Sequence, residues 1–183
     1  MVEFLARLLT LLFFPRRFRV WLRKRIIFFL HGLPVRLKAK RVGKALHCAG
    51  PVHATATTEL GDHVHFNGRW ASGNGRLVIG DWFHSGYGLR IFTRNHNYDA
   101  GTAIPYDKTF VTKDVVIGDF VWIGAQVILL PGTTIGEGAI IQAGSVVHGE
   151  VPPYAIAGGN PAKVFGQRDV EHFKRLKAEG KFH

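Results

Sequence analysis

The chain has 183 residues, 46% of them apolar, and a formal net charge of +11, which suits one domain with short appendages and argues against disorder. The charge sits at one end: residues 1–44 carry twelve Lys/Arg against one acid, Glu3, whereas the remaining residues carry twelve of each sign. A neutral body gives no footing for nucleic acid, and the single cysteine, Cys48, excludes an intramolecular disulfide framework and a cysteine-built metal cluster and fits a reducing compartment.

Residues 2–14 (VEFLARLLTLLFF) are apolar except at Glu3, Arg7 and Thr10, a narrow polar stripe at helical spacing. Pro15 interrupts, and residues 16–30 (RRFRVWLRKRIIFFL) then interleave basic clusters with Trp21, Phe28 and Phe29. Neither run offers the ~20 uncharged residues of a spanning helix, and no small-residue cleavage site follows the short apolar stretch. The pattern predicts an amphipathic helical arm over residues 1–44 that lies on an anionic membrane surface, each basic side chain contributing roughly 1 kcal/mol. The competing expectation is that its apolar stripe covers the end of the domain.

Beyond the arm a six-residue period dominates. From Val111 an aliphatic residue recurs at Ile117, Ile123, Leu129, Ile135, Ile141 and Val147, often followed by Gly (Gly118, Gly124, Gly136). Four residues after each aliphatic stands a small or β-branched residue: Val115, Val121, Val127, Thr133, Ala139, Ser145, Val151. The frame shows earlier at Ile79, Ser85 and Ile91, and more faintly at Leu46, Val52 and Leu60. Neither a helix nor a simple strand has period six. A triangular solenoid does, with one short strand and one turn per hexapeptide, the aliphatic residue pointing into the prism and Gly tolerating the turn. Stacked coils pair in parallel and leave edges only at the two ends.

After the repeats, Asp169 caps a predicted short helix with Glu171 in its first turn, Lys174, Arg175 and Lys177 later and Gly180 beyond. Val170, Phe173 and Lys177 define a face able to fold back on the solenoid.

The register breaks where Ile91 and Val111 stand 20 residues apart instead of six. The segment RNHNYDAGTAIPYDKT leaves the coil as a long loop, a usual place for function, and it carries His96 between Asn95 and Asn97. A neutral imidazole is suited to take a proton at neutral pH. His31 and His47 belong to the arm or its junction, His172 and His183 to the tail, and His53, His63, His65 and His84 to solenoid positions where a solvated role is commonest.

Over roughly residues 45–165 the pattern resembles the hexapeptide-repeat transferases. The loop with its histidine, the run DVVIGDFVWIGAQVILLPGTTIGEGAIIQAGSVV (residues 114–147) and the stretch VPPYAIAGGNPAKVFG (residues 151–166) are similar to those of maltose- and galactoside-type sugar O-acetyltransferases. The resemblance implies an all-β fold, a left-handed parallel β-helix over residues 45–166 with the excursion at 94–110, followed by the C-terminal helix within 167–183. The left hand runs against the usual crossover rule and is taken from the resemblance.

The same resemblance implies an acetyl-CoA-dependent O-acetyltransferase working by direct transfer, with His96 as general base and acetyl-CoA as co-substrate, needing no metal and no acyl-enzyme on Cys48. The oxyanion donor falls near Gly124 and Ala125. Ala125 and Ala143 line the pantetheine groove, with Gly144 and Ser145 close by. Lys163 and Arg168, both cationic and beyond the last coil, are candidates for the nucleotide phosphates. Asn67 and Asn74 fall where relatives bind sugar hydroxyls, and Trp70 and Tyr87 could stack on a sugar face. One departure is His148-Gly149, where the family often has Thr-Lys. Family members form trimers with sites between solenoids, so a homotrimer is expected here. The arm adds an expected place, the inner face of the cytoplasmic membrane, and an expected acceptor, a lipid-linked or surface polysaccharide sugar.

Three rivals stand beside this reading. An amino-sugar N-acetyltransferase uses the same repeat, and a non-catalytic membrane-bound scaffold would not need His96. A zinc carbonic anhydrase on this solenoid uses three histidines, two of them about five apart after the middle coil, and none occurs here between His96 and His148.

Overall fold

A computed structural model describes residues 15–183, with residues 69–72 defined by backbone alone; the stripe of Glu3, Arg7 and Thr10 lies outside the described residues. Helix α1 (Arg16–Lys38) starts directly after Pro15 and runs on through Pro34. Six coils follow. The first holds β1 (Arg41–Val42) and β2 (His47–Cys48); the second β3 (Thr58–Leu60), β4 (His65–Phe66) and β5 (Arg69–Ser72); the third β6 (Leu77–Ile79), β7 (His84–Ser85) and β8 (Leu89–Phe92). A hairpin of β9 (Arg94–His96) and β10 (Phe110–Thr112) interrupts them. The fourth coil holds β11 (Val115–Ile117), β12 (Trp122–Ile123) and β13 (Ile128–Leu129), and the fifth β14 (Thr134–Ile135), β15 (Ile140–Ile141) and β16 (Val146–Val147). The sixth has β17 (Glu150–Val151) and β18 (Ala155–Gly159), against which β19 (Ala162–Gln167) turns back, before α2 (Val170–Ala178).

These strands make three faces of a prism. The first runs β1-β3-β6-β11-β14-β17, the second β2-β4-β7-β12-β15-β18-β19, and the third β5-β8-β13-β16. Stacking is parallel throughout the coils, and the hexapeptide repeats give the helix its left hand. Residues in register form inward ladders: Leu60, Ile79, Ile117, Ile135 and Val151 on the first face, Cys48, Phe66, Ser85, Ile123, Ile141 and Ala157 on the second, and Ile91, Leu129 and Val147 on the third. All but a few of these side chains are fully buried, each aliphatic one contributing roughly 1.5–3 kcal/mol of transfer free energy.

The corner between the first and second faces shows why the residue after the ladder position is Gly. The carboxylates of Asp81 and Asp119 accept from the backbone N–H of Asp62 and Asp81, each at 2.7 Å. A Cβ on Gly61 or Gly80 would run into those same oxygens.

The structure corrects the reading of the frame in three places. Val111 belongs to β10, paired with Asn95 and 42% exposed, so it is no ladder residue. In the early coils the ladder holds Val42, Cys48, Leu60 and Phe66, while Leu46 is only partly buried against the core. Val151 pairs with Ile135 as a ladder residue, because the preceding corner is two residues shorter than the repeat.

Helix α1 packs on the solenoid along one side and is exposed along the other. Val35 is fully buried, Gly32 is buried, and the Phe28 ring lies 3.8 Å from that of His47, so the helix covers the start of the second face. Trp21, Phe29 and Leu37 remain 50%, 64% and 76% exposed. No helix among the described residues is long and apolar enough to cross a membrane. The first coil begins at Arg41, inside the segment assigned to the arm. At the other end Asp169 accepts from the His172 N–H at 2.9 Å, and Phe173 meets Phe120 and Tyr154 edge-on.

Candidate active site

The excursion leaves and rejoins the prism at the corner between the third and first faces, where Lys113 N–H donates to the Thr93 carbonyl at 3.0 Å. It is an ordered hairpin, with His96 opposite Phe110 in the register of β9 and β10. The His96 ring stacks on Tyr106 with centroids 3.7 Å apart and an interplanar angle of 21°, and lies 4.8 Å from Phe110. Arg94 covers Phe110 at 4.3 Å. His96 Nδ1 is buried and finds no hydrogen-bond partner among the described residues.

The tip of the hairpin is tied by its own polar side chains. Asp107 accepts from the N–H of Thr102 at 2.9 Å and of Thr109 at 2.8 Å, and from both threonine hydroxyls. Those hydrogen bonds, from Thr109 above all, hold its carboxyl down to about 2. Asn97, beside His96, donates to Thr109 Oγ1 and accepts from the Ala100 N–H. Tyr106, next to Asp107, is thereby kept against the imidazole.

The residues implied for the donor lie elsewhere on the prism, at the corner between the second and third faces. Ala125 is partly exposed, and Ala143 and Gly144 are exposed; a Cβ on Gly144 would meet nothing within 4 Å. The Gly124 N–H already donates to the Ile141 carbonyl at 2.8 Å, and a Cβ on Gly86 would cover the Ala125 amide nitrogen at 2.5 Å. Ser145 is fully buried, its hydroxyl donating to the Gln142 carbonyl at 2.6 Å and accepting from the Gly159 N–H at 3.1 Å, so it locks the corner from inside. Lys163 is exposed on β19 opposite Gly158, beside this corner.

Of the other implied residues, Arg168 and Asn74 are not brought to it. Arg168 Nε donates to the Gly138 carbonyl at 2.5 Å and its guanidinium lies 5.6 Å from the Phe173 ring, on the opposite side of the second face. Burial lowers its pKa. Asn67 is at the donor corner but donates to the Ser85 carbonyl at 3.0 Å. Asn74 is exposed at the corner of the His96 hairpin, next to Gly73, where a Cβ would strike Thr93 and Arg94. Tyr87 is 62% exposed at the donor corner, and His148 is exposed at the hairpin corner.

His96 and the Ala125–Ala143 corner are thus one face apart in a single chain, about 20 Å for a six-residue side at the usual strand rise. No side chain spans that gap. His96 lines neither the groove between α2 and the second face nor the groove between α1 and the second face. Among the described residues no group of His, Cys, Asp or Glu is arranged to hold a metal.

The sequence reading missed Tyr106 and Phe110 as the neighbours of His96; antiparallel pairing across the excursion leaves no periodic signal. It also missed a stack of imidazoles on the outer side of the second face. His47, His65 and His84 lie with centroids 4.8 and 4.3 Å apart, and their sequence spacing of one coil was a signal for it. Burial first, and neighbouring positive charge second, lowers His47 and takes His65 to about 4; burial lowers His84.

Residues 114–149 match the family model for the bacterial transferase hexapeptide, six repeats. The chain is 35% identical to a chloramphenicol acetyltransferase of Klebsiella aerogenes over 109 residues, 51% of this chain and 52% of that one, so it spans about half the length of that curated relative. Among solved structures it is similar to a hexapeptide-repeat acetyltransferase of Vibrio cholerae complexed with acetyl coenzyme A, at a TM-score of 0.60 and 26% identity over 91% of this chain and 86% of that one. A maltose O-acetyltransferase of Clostridium difficile is also 26% identical, at a TM-score of 0.50 over 91% and 83%. By its repeats and its fold the chain is similar to the hexapeptide-repeat transferases, whose repeat model residues 114–149 match.

Proposed function

We propose that the protein is an acetyl-CoA-dependent O-acetyltransferase acting on a sugar hydroxyl, with His96 as general base. The observation that carries this reading is the hairpin itself: a half-buried imidazole, pinned between aromatic rings, on a loop wired by Asp107 and Asn97 and mounted on a rigid prism. Nε2 takes the proton of the acceptor hydroxyl as its oxygen attacks the thioester carbonyl. The tetrahedral oxyanion is met by a backbone N–H, and Ala125 is the better donor because the Gly124 amide is engaged in the coil ladder. Collapse expels the coenzyme A thiolate, which receives the proton from the imidazolium. The donor lies along the exposed Ala143–Gly144 corner, with Lys163 near its phosphates.

The separation of His96 from that corner favours a homotrimer in which the hairpin of one protomer meets the donor corner of the next. The cations and exposed aromatics of α1 favour a place on the inner face of the cytoplasmic membrane, with a lipid-linked or surface polysaccharide sugar as acceptor. Residues 1–14 belong to the same reading of the arm.

The test is an acceptor screen with acetyl-CoA, following free thiol. Sugars, amino sugars and chloramphenicol belong in the panel, the last because the 35% identical relative is named for it. Acetyl transfer to an amine but not to a hydroxyl would replace the O-acetyl reading with the N-acetyl one. No thiol release with any acceptor would favour the scaffold.

A further inference from the structure

Between α1 and the outer side of the second face lies a groove of about 610 Å³. Phe28, Leu33 and Leu46 line it together with three cations, Lys24, Arg25 and Arg36, and no Asp or Glu among the described residues does. None of the three cations has an ion-pair partner among the described residues. The imidazoles of His47 and His65 also border it, and their lowered pKa values make them uncharged ring surface at neutral pH. Trp21 and Phe29 stand at the groove 50% and 64% exposed, with Arg25 5.0 Å from the Trp21 ring.

Three unneutralised cations beside hydrocarbon, without an acid, make a surface of one sign that water alone serves poorly. A nucleotide or free phosphate would satisfy the cations and leave the apolar side chains wet. An acidic peptide would match the charge but offers no matching hydrocarbon. A phosphodiester carrying acyl chains matches both parts. We infer that this groove seats the phosphate and the first acyl segment of an anionic phospholipid drawn from a bilayer. The inference rests on the membrane reading of the arm and is independent of the acetyl-transfer reading. It turns a diffuse basic helix into a site with a defined occupant.

The test uses the full chain and vesicles of phosphatidylglycerol in phosphatidylcholine. Lys24→Gln, Arg25→Gln and Arg36→Gln together remove the groove cations; Arg16→Gln, Arg17→Gln and Lys38→Gln together remove as much charge from exposed positions of α1 that do not line it. At roughly fivefold per cation, the groove variant should bind about a hundredfold more weakly than wild type, and at least tenfold more weakly than the control variant. Equal losses in the two would mean diffuse electrostatics and would overturn the site.

A second readout needs only one conservative variant and leaves the groove cations in place. Submicellar short-chain phosphatidylglycerol should shift the emission of Trp21, isolated as the difference between wild type and Trp21→Phe, whereas short-chain phosphatidylcholine and inorganic phosphate should not. A response to phosphate alone, or none to phosphatidylglycerol, overturns the proposal. So does displacement of the lipid by a poly-glutamate peptide with no hydrocarbon. Thiol release from acetyl-CoA, followed in the same preparations, separates the two readings: its loss with lipid binding intact would touch only the catalytic one.

Discussion

Replacing His96 by alanine in one preparation and Ala143 by tryptophan in another should give two inactive proteins whose co-assembly is active. His96→Ala removes the base from the hairpin. Ala143→Trp fills the donor corner from an exposed position, where the extra bulk faces solvent and leaves the coil ladders intact. Because the two features stand about one six-residue face apart in a single chain, the proposed trimer makes a site from the hairpin of one protomer and the corner of its neighbour. With equal expression and random assembly in a threefold ring, about a quarter of all sites are restored, which is about one site in three within each mixed trimer. Two affinity tags on co-expressed chains isolate the mixed trimers, and free-thiol formation from acetyl-CoA reads the activity. Mixed trimers that are as inactive as the parents would place the whole site within one chain and refute the shared-site geometry.

Tyr106→Ala should lower kcat/KM roughly 3–10-fold, the worth of an aromatic stack, with the KM for acetyl-CoA unchanged and Tyr106→Phe close to wild type; steady-state kinetics distinguish these. The lowered pKa values of His47, His65 and His84 mean that the unfolded chain binds more protons between about pH 6.5 and about pH 4. Stability should therefore fall as pH drops through that window and level off below it, and His65→Gln should flatten the slope of the urea midpoint against pH. Leu129→Ala, at a fully buried position of the third face, should cost about 2–5 kcal/mol in urea unfolding, without the pH dependence of the histidine stack.

The middle coils were legible from the sequence because each side of the prism there is one hexapeptide long, so the ladder from Ile117 to Val147 reads straight off the period. The early coils blur it. Cys48 and Phe66 fill ladder positions that elsewhere hold Ile, and Leu60 and Ile79 are 19 residues apart where the regular coil takes 18. Val111 imitated a ladder residue because a β-branched side chain suits a hairpin equally well.

At the site, His96 was legible as a polar residue in a break of the repeat. Its Tyr106 stack was not, since it depends on how Asp107 folds the tip. The small residues of the donor corner could be placed by the period. The fate of Arg168 could not, because its carbonyl partner at Gly138 lies 30 residues away and is reached only when the tail folds back. The imidazole stack sits between these cases: its one-coil spacing was there to be read.

The most direct measurement is the turnover of His96→Ala against wild type, by free-thiol release with an acceptor that the screen has identified, on protein whose assembly and acetyl-CoA affinity are unchanged. A loss of roughly 10²–10⁴ in kcat is the outcome for a general base. A variant that keeps turnover within a fewfold of wild type would show that another group takes the acceptor proton.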